Sequence, residues 1–475
     1  MKQELSKNSI LELLEGYKKK KFSPLEVVKE IIKNIKKYNE KLNAFVYFDE
    51  EDVLHQAGSS TARIDNNATK GVLEGIPISI KDLIVTKKLP TTRGSLTSSL
   101  PINSEFDAPV VKKLKREGAI ILGKTASPEF GHKGTTQSLR FGNTNNPWNI
   151  LLNAGGSSGG SCAAVAAGLG PGSIGTDGGG SIRIPCSFCG VFGHKPTFGR
   201  VPAYPISPFG TIANIGPISR TTTDGALIMN SIVGGDEMDW HSLPDEIMDY
   251  SLHEKDLKNK IKVAYSKFWG MENYFNSDLM EKEISSKIEN TVSLLSNSGL
   301  QVEINELILW PHNPQEIFMI MWQAGAANLA KKINKNDYDK MDPTFINFIE
   351  RGNKYSIFDL MEAEAKRAEN ATHMKKVFSK VDAIVGPTLP VLPFNSESNV
   401  PFGYQKDKLF SWLPFTYPFN LTKNPSCNLN VGFSKLGLPI GMQIVADVYK
   451  DKICFDLAYF IEQLIGISDT WPTLK

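Results

Sequence analysis

Two glycine–serine turns of this chain hold residue types suited to nucleophilic chemistry, one around Ser157 and one ending at Ser181. Ser157 lies in Gly155-Gly156-Ser157-Ser158-Gly159-Gly160, and Ser181 ends Gly178-Gly179-Gly180-Ser181. Glycine permits positive φ and close backbone approach at an entropic cost, so this density points to backbone N–H groups that must converge. A serine at the end of three glycines is what an exposed nucleophile beside its own oxyanion hole needs. Its hydroxyl stays a poor nucleophile until a base takes the proton. A lysine can be such a base only when neutral, and burial favours the neutral form.

Glycine–serine runs are commonly flexible linkers. This one is interrupted by the apolar residues 163–169 and followed at once by Ile182-Arg183-Ile184-Pro185, which builds it into a core. The elements that position it read as strands alternating with helices. Strands are expected at 42–48, 76–85, 119–122, 262–265, 300–304, 382–387 and within 425–445, with Lys81 in apolar company on the second. Helices are expected over 109–117, 280–297, 356–379 and 453–465. Another starts at Ser23-Pro24-Leu25-Glu26, a capping box with proline at its first position. Residues 200–217 read as a long loop and 236–260 as a surface connection. The pattern is that of an α/β sheet with helical cover.

Gly118-Ala119-Ile120-Ile121-Leu122-Gly123-Lys124-Thr125 matches a phosphate-binding loop letter for letter. A phosphate loop follows a strand and opens a helix. Here a charged helix precedes it, the variable positions are all apolar, and Ser127-Pro128 disfavours a following helix. The stretch reads as a strand.

The composition bounds the rest. With 53 Lys and Arg against 51 Asp and Glu, the net charge of +2 makes no case for direct nucleic-acid binding. No apolar run reaches membrane-spanning length and no signal-peptide core is present, so the expectation is a cytoplasmic protein. Five cysteines in 475 residues make no disulfide framework. Cys186 and Cys189 form one Cys-x-x-Cys without a second pair, short of a zinc site, and the seven histidines form no recognisable cluster. His132 and His194 read as packing or loop residues, Ser158 as a turn residue, and Asp177 as a structural partner of its loop.

The GGSSGGS run, then GTDGGGSIRIP, with Lys81 76 positions before Ser157 and Ser181 24 after it, resembles the amidase signature family. The similarity spans most of 42–465 and is densest over 75–217. The resemblance implies the α/β amidase signature fold, a large central mixed sheet covered by helices on both faces. It implies one amidase domain over 1–475: an N-terminal helical segment (1–60), the signature core (75–235), a variable substrate-shaping region (260–400) and the C-terminal part of the core (400–475). It implies Ser181 as the nucleophile that forms an acyl-enzyme, Ser157 as a relay after a cis peptide, and Lys81 as base. The oxyanion hole would come from the N–H groups of Gly178, Gly179 and Gly180 with Ser181. Gly131, in the loop over 127–140, and Arg183 are candidate substrate contacts, although Arg183 could equally pair with Asp177. Trp322 and Phe318 read first as core packing and second as walls of an acyl pocket. No metal or organic cofactor is implied, and a homodimer is left open.

Two functions share these motifs. One is a stand-alone amidase acting on a small-molecule amide. The other is the A subunit of the tRNA-dependent amidotransferase, a glutaminase passing ammonia to partner subunits. Ser127-Pro128-Glu129-Phe130-Gly131-His132 lacks the Asp-Glu-Phe-Ala-Met-Gly run expected of that subunit. Residues 200–210 depart from its Ser-Arg-Tyr-Gly pattern, so the motifs lean to the stand-alone enzyme.

Overall fold

The computed structural model describes residues 4–97, 100–245, 248–254, 257–304, 307–467 and 469–474. Eleven strands form one sheet: β1 (Phe45–Phe48), β2 (Pro77–Lys81), β3 (Ile120–Thr125), β4 (Gly172–Asp177), β5 (Phe192–Lys195), β6 (Asn214–Ser219), β7 (Lys262–Tyr265), β8 (Gln301–Ile304), β9 (Ala383–Pro387), β10 (Ser426–Phe433) and β11 (Pro439–Ala446). Their order is β1-β3-β2-β4-β6-β5-β10-β11-β9-β7-β8. β3, β2 and β4 run parallel, as do β9, β7 and β8; every other pairing is antiparallel. Parallel strands in mixed α/β sheets carry helices on both faces and read as continuous apolar runs. β2 and β3 follow that rule, being buried at every residue.

The helix expected after Ser23 is α1 (Pro24–Leu42), and its capping box forms with Glu26. Val27, Val28, Ile31, Ile32 and Ile35 line its buried face, as their spacing requires. The two glycine–serine turns each open a short helix, α2 (Gly159–Ala166) and α3 (Arg183–Cys189). Gly160 is needed there because a Cβ would come within 2.3 Å of the Ala126 backbone nitrogen at the end of β3. Of the longer helices later in the chain, α4 runs over Pro314–Ala330 and α5 over Asp451–Ile465.

The phosphate-loop match lies in β3. Lys124 is fully buried and donates to the Ile84 carbonyl and to Thr91 Oγ1 (2.8 Å), so it faces the core. Three expected boundaries need correction. The strand expected over 76–85 ends at Lys81, and Leu42, expected to open the strand over 42–48, closes α1. The loop over 200–217 ends early, because β6 starts at Asn214. Proline is tolerated in a strand where a ladder bond is missing. β5 pairs only with Ile218 and Ser219, so Pro217 has one strand neighbour.

Candidate active site

The parallel strands β2 and β4 lie side by side in the register Ile78↔Gly172 and Ile80↔Ile174. Their carboxyl ends therefore bring Lys81 beside Thr176, and sites in such sheets form outside the carboxyl ends of strands. Lys81 is 0% exposed and cannot snorkel to solvent. Its Nζ lies 2.8 Å from Ser157 Oγ, 2.9 Å from Ser158 Oγ and 2.8 Å from Thr176 Oγ1. Burial pushes the amine down to about 7, against the opposing charge of Asp177.

Hydrogen-bond counting assigns directions in this cluster. Ser158 Oγ donates to the Thr176 carbonyl (3.1 Å), so towards Lys81 it acts as acceptor. A neutral amine has two N–H groups and one lone pair. With Ser158 and Thr176 taking the two N–H groups, the lone pair is left for Ser157, which is the orientation a base needs.

The peptide between Gly156 and Ser157 is cis. Ser157 and Ser181 both line one cavity, and the Ser158 N–H donates to the Ser181 carbonyl (3.1 Å), tying the two turns together. Gly131 lines the same cavity. A Cβ there would lie 3.2 Å from Ser157 Oγ and 2.7 Å from Leu83 Cδ1, and its φ is +71°. Gly131 thus sits against Ser157.

Asp177 organises the Gly178–Ser181 turn. It accepts from the N–H groups of Gly180 (2.6 Å) and Ile182 (3.2 Å), from Arg183 Nε and Nη2 (3.0 Å each) and from Asn420 Nδ2 (2.9 Å). Burial alone would raise its carboxyl, but the Arg183 charge and hydrogen bonds outweigh this and hold it well below the usual carboxylate range.

Two expectations change with these contacts. Gly180 does not offer its N–H to an oxyanion, because Asp177 holds that N–H; Gly178, Gly179 and Ser181 remain. Nor does Arg183 reach substrate. It is 0% exposed, and its guanidinium also donates to the Thr416 carbonyl (2.9 Å), Gln443 Oε1 (2.7 Å) and Asn420 Oδ1 (2.6 Å). At the start of α3 it turns back beneath the turn, and of its two readings the ion pair with Asp177 is the one realised.

The cavity has a volume of about 570 Å³. Its walls are mainly apolar, including Leu83, Val85, Phe130, Pro205, Phe209, Trp322 and Leu329. Phe209 and Trp322 stack with centroids 3.8 Å apart. Trp322, on α4, is therefore both core and wall, whereas Phe318 packs under the turn, 2.7 Å from where a Cβ on Gly179 would lie. Arg93 and Lys332 bring positive charge to the lining, which holds no Asp or Glu among the described residues.

His132 is buried, its ring bonded to the Glu129 carbonyl and Thr344 Oγ1 (2.7 Å each). Ser158, Thr176, Thr416 and Asn420 are site residues that sequence reasoning missed. Ser158 and Thr176 carried a signal, one adjoining Ser157 and the other lying just before Asp177. Thr416 and Asn420 are more than 230 positions from Ser181 and carried none.

A buried lysine at hydrogen-bond distance from Ser157, and a second serine, Ser181, lining the same mainly apolar cavity, make this the candidate active site. Comparisons with known proteins give the family. The family model described as Amidase matches residues 26–455. The A subunit of the glutamyl-tRNA(Gln) amidotransferase of Alkaliphilus metalliredigens is 32% identical over 98% of each chain. An acylamidase of Rhodococcus erythropolis is 31% identical over 95% of this chain and 94% of its own. The crystal structure of a bacterial aryl acylamidase of the amidase signature family superposes with a TM-score of 0.87 at 28% identity, covering 98% of this chain and 99% of that one. The chain belongs to the amidase signature family and is a hydrolase of carbon–nitrogen amide bonds.

Proposed function

We propose that this chain is a stand-alone amidase that works through an acyl-enzyme on Ser181. Neutral Lys81 takes a proton from Ser157 as Ser157 takes one from Ser181, whose oxygen attacks the amide carbonyl. N–H groups among Gly178, Gly179 and Ser181 meet the oxyanion. The proton returns along the same path to the leaving nitrogen, releasing ammonia or an amine, and water then attacks the acyl-enzyme by the same relay. The observation that carries this reading is the buried Lys81 amine, 2.8 Å from Ser157 and aimed by two further hydroxyls.

The same reading takes 1–475 as one cytoplasmic domain acting on a small-molecule amide, with no direct nucleic-acid contact and no cofactor in the chemistry. The amidotransferase A-subunit reading has support from relatives such as that of A. metalliredigens. The cavity weighs against it. Free glutamine carries an α-ammonium, and a buried cation needs a pairing anion, yet the described lining holds no carboxylate.

The test is a panel of amides given to the purified chain without partners. Apolar acyl amides and anilides should be hydrolysed with kcat/KM about 100-fold or more above that for glutamine, the scale set by leaving a buried polar group unpaired. Glutamine as the best substrate, turned over only once partner subunits are added, would replace this proposal with the second reading.

A further inference from the structure

A second cluster of chemically active side chains lies in the sheet, outside the cavity. His194 on β5 stands directly opposite Cys427 on β10 in the antiparallel register. Cys454 projects from the first turn of α5, three residues after Asp451 and so on the same face of that helix. One ligand-capable atom from each of His194, Cys427 and Cys454 lies within 4.8 Å of the other two, and all three residues are 0% exposed.

The histidine is already set for a ligand's role. Its Nε2 lies 3.2 Å from Asp451 Oδ1, and Asp451 is itself held by the Thr197 N–H (2.8 Å) and Oγ1 (2.7 Å). Metal-binding histidines are oriented in this way, through a carboxylate on the other ring nitrogen. Nδ1 is buried and has no hydrogen-bond partner in the described structure. A buried polar atom left unsatisfied is unfavourable. Cys427 Sγ lies 3.6 Å from the Cys454 carbonyl and Cys454 Sγ 3.7 Å from the Pro425 carbonyl, and the Cys427 thiol also interacts with the His194 ring and with Cys454.

We propose that His194 Nδ1, Cys427 Sγ and Cys454 Sγ form a structural site for one soft, thiophilic cation, Zn²⁺ or Cu⁺, that clamps β5, β10 and α5 together. Thiolate and imidazole are the donors these ions prefer. With Zn²⁺, binding releases the two thiol protons and leaves two thiolates, one neutral imidazole and the dication, a set of zero net charge suited to a dry core. Bonds of about 2.3 Å to sulfur and 2.0 Å to nitrogen need ligand atoms roughly 3.5 Å apart, a contraction of at most about 1.3 Å. Cu⁺ suits three ligands without a fourth and would leave one negative charge. The ligands fall at positions 194, 427 and 454, so no short spacing motif announces them.

Because the site is sealed, the ion must enter as the chain folds. The full chain is therefore refolded under argon with Zn²⁺ alone, Cu⁺ alone or Co²⁺ alone, washed with chelator and analysed for metal. The expected result is about one ion retained per chain in the Zn²⁺ or the Cu⁺ arm, whichever the site prefers, since binding and folding are coupled. Co²⁺ should give a thiolate-to-cobalt charge-transfer absorption. Cys427→Ser and Cys454→Ser should lose the ion, while Cys189→Ala keeps it. A folded wild-type chain that retains less than about a tenth of an equivalent in every arm, with no charge-transfer band, would overturn the site and leave a Cys427 thiol donating to Nδ1. The cobalt spectrum of the wild type decides the matter even where the serine variants do not fold.

Discussion

Lys81 differs from an ordinary buried lysine in what surrounds its nitrogen: three hydroxyls, and no carboxylate within hydrogen-bond distance among its described partners. Its amine at about 7 makes the free base the dominant form above neutrality. kcat/KM should therefore rise with pH through about 7 and level off above it; a rate that falls over that interval would contradict Lys81 as base. Thr176→Val removes one acceptor that aims the lone pair. It should lower kcat by roughly tenfold, the equivalent of about one hydrogen bond, with KM little changed, and steady-state kinetics on one amide read both. Gly131→Ala would press a methyl group against Ser157 Oγ and Leu83 in a left-handed backbone conformation, and should lower kcat while the chain still folds. At this scale the motifs were legible: Ser157 and Ser181 stand in glycine–serine turns and Lys81 on an apolar strand, and the fold brings Lys81 to Ser157. Arg183 was ambiguous because a guanidinium before Ile-Pro looks alike whether it faces a cavity or a buried aspartate. Thr416 and Asn420 were invisible because only the fold brings them to Asp177.

At the scale of elements, the Gly178–Ser181 turn is held by an ion pair inside the fold. Asp177 ends β4, Arg183 starts α3, and the intervening turn closes on their contact. Removing one partner of a buried pair leaves an uncompensated charge, at a cost of about 3–5 kcal/mol. Arg183→Met should accordingly lower the unfolding free energy by that amount in chemical denaturation. A variant as stable as wild type but with raised KM would restore Arg183 to substrate binding. Strand periodicity and capping signals located β2, β3, β7, β9 and the start of α1, because each depends on neighbours in sequence. Helix α4 was not marked beforehand, since it is apolar on most of its surface, as expected of a helix buried on several sides. Trp322, which that helix places in the cavity wall, therefore read as core first and as a pocket wall only second.

For the whole molecule, burial of charged groups shapes stability as well as chemistry. Lys81, Lys124 and Lys195 are each pushed by burial from an ordinary value of 10.5 down to about 7. Between those values the unfolded chain binds more protons, so stability rises with pH across that window and is lost as pH falls back towards 7. Asp224 and Glu462, pushed up by burial to about 7, act oppositely: below 7 the folded chain binds more protons, so stability falls as pH climbs towards 7. Thermal unfolding should therefore give a lower midpoint near pH 7 than near pH 9, and the reverse order would show that these lysines are charged in the fold. The cavity belongs to this scale too, since its walls come from residues 83–85, 130–131, 203–215 and α4. No stretch of sequence spells it, which is why the chemistry was readable before the shape of the substrate was.

The central claim is that Ser181 is a nucleophile activated through Ser157 by Lys81, in the chain alone. The most direct test treats the purified chain, without partners, with a fluorophosphonate and locates the modified peptide by mass spectrometry. Labelling is expected at Ser181 in the wild type, none in Ser181→Ala, and labelling slowed about 1000-fold or more in Lys81→Ala, the scale on which members of a catalytic unit fail. Labelling that is unaffected by the Lys81 substitution, or absent from a folded wild-type chain, would contradict the claim.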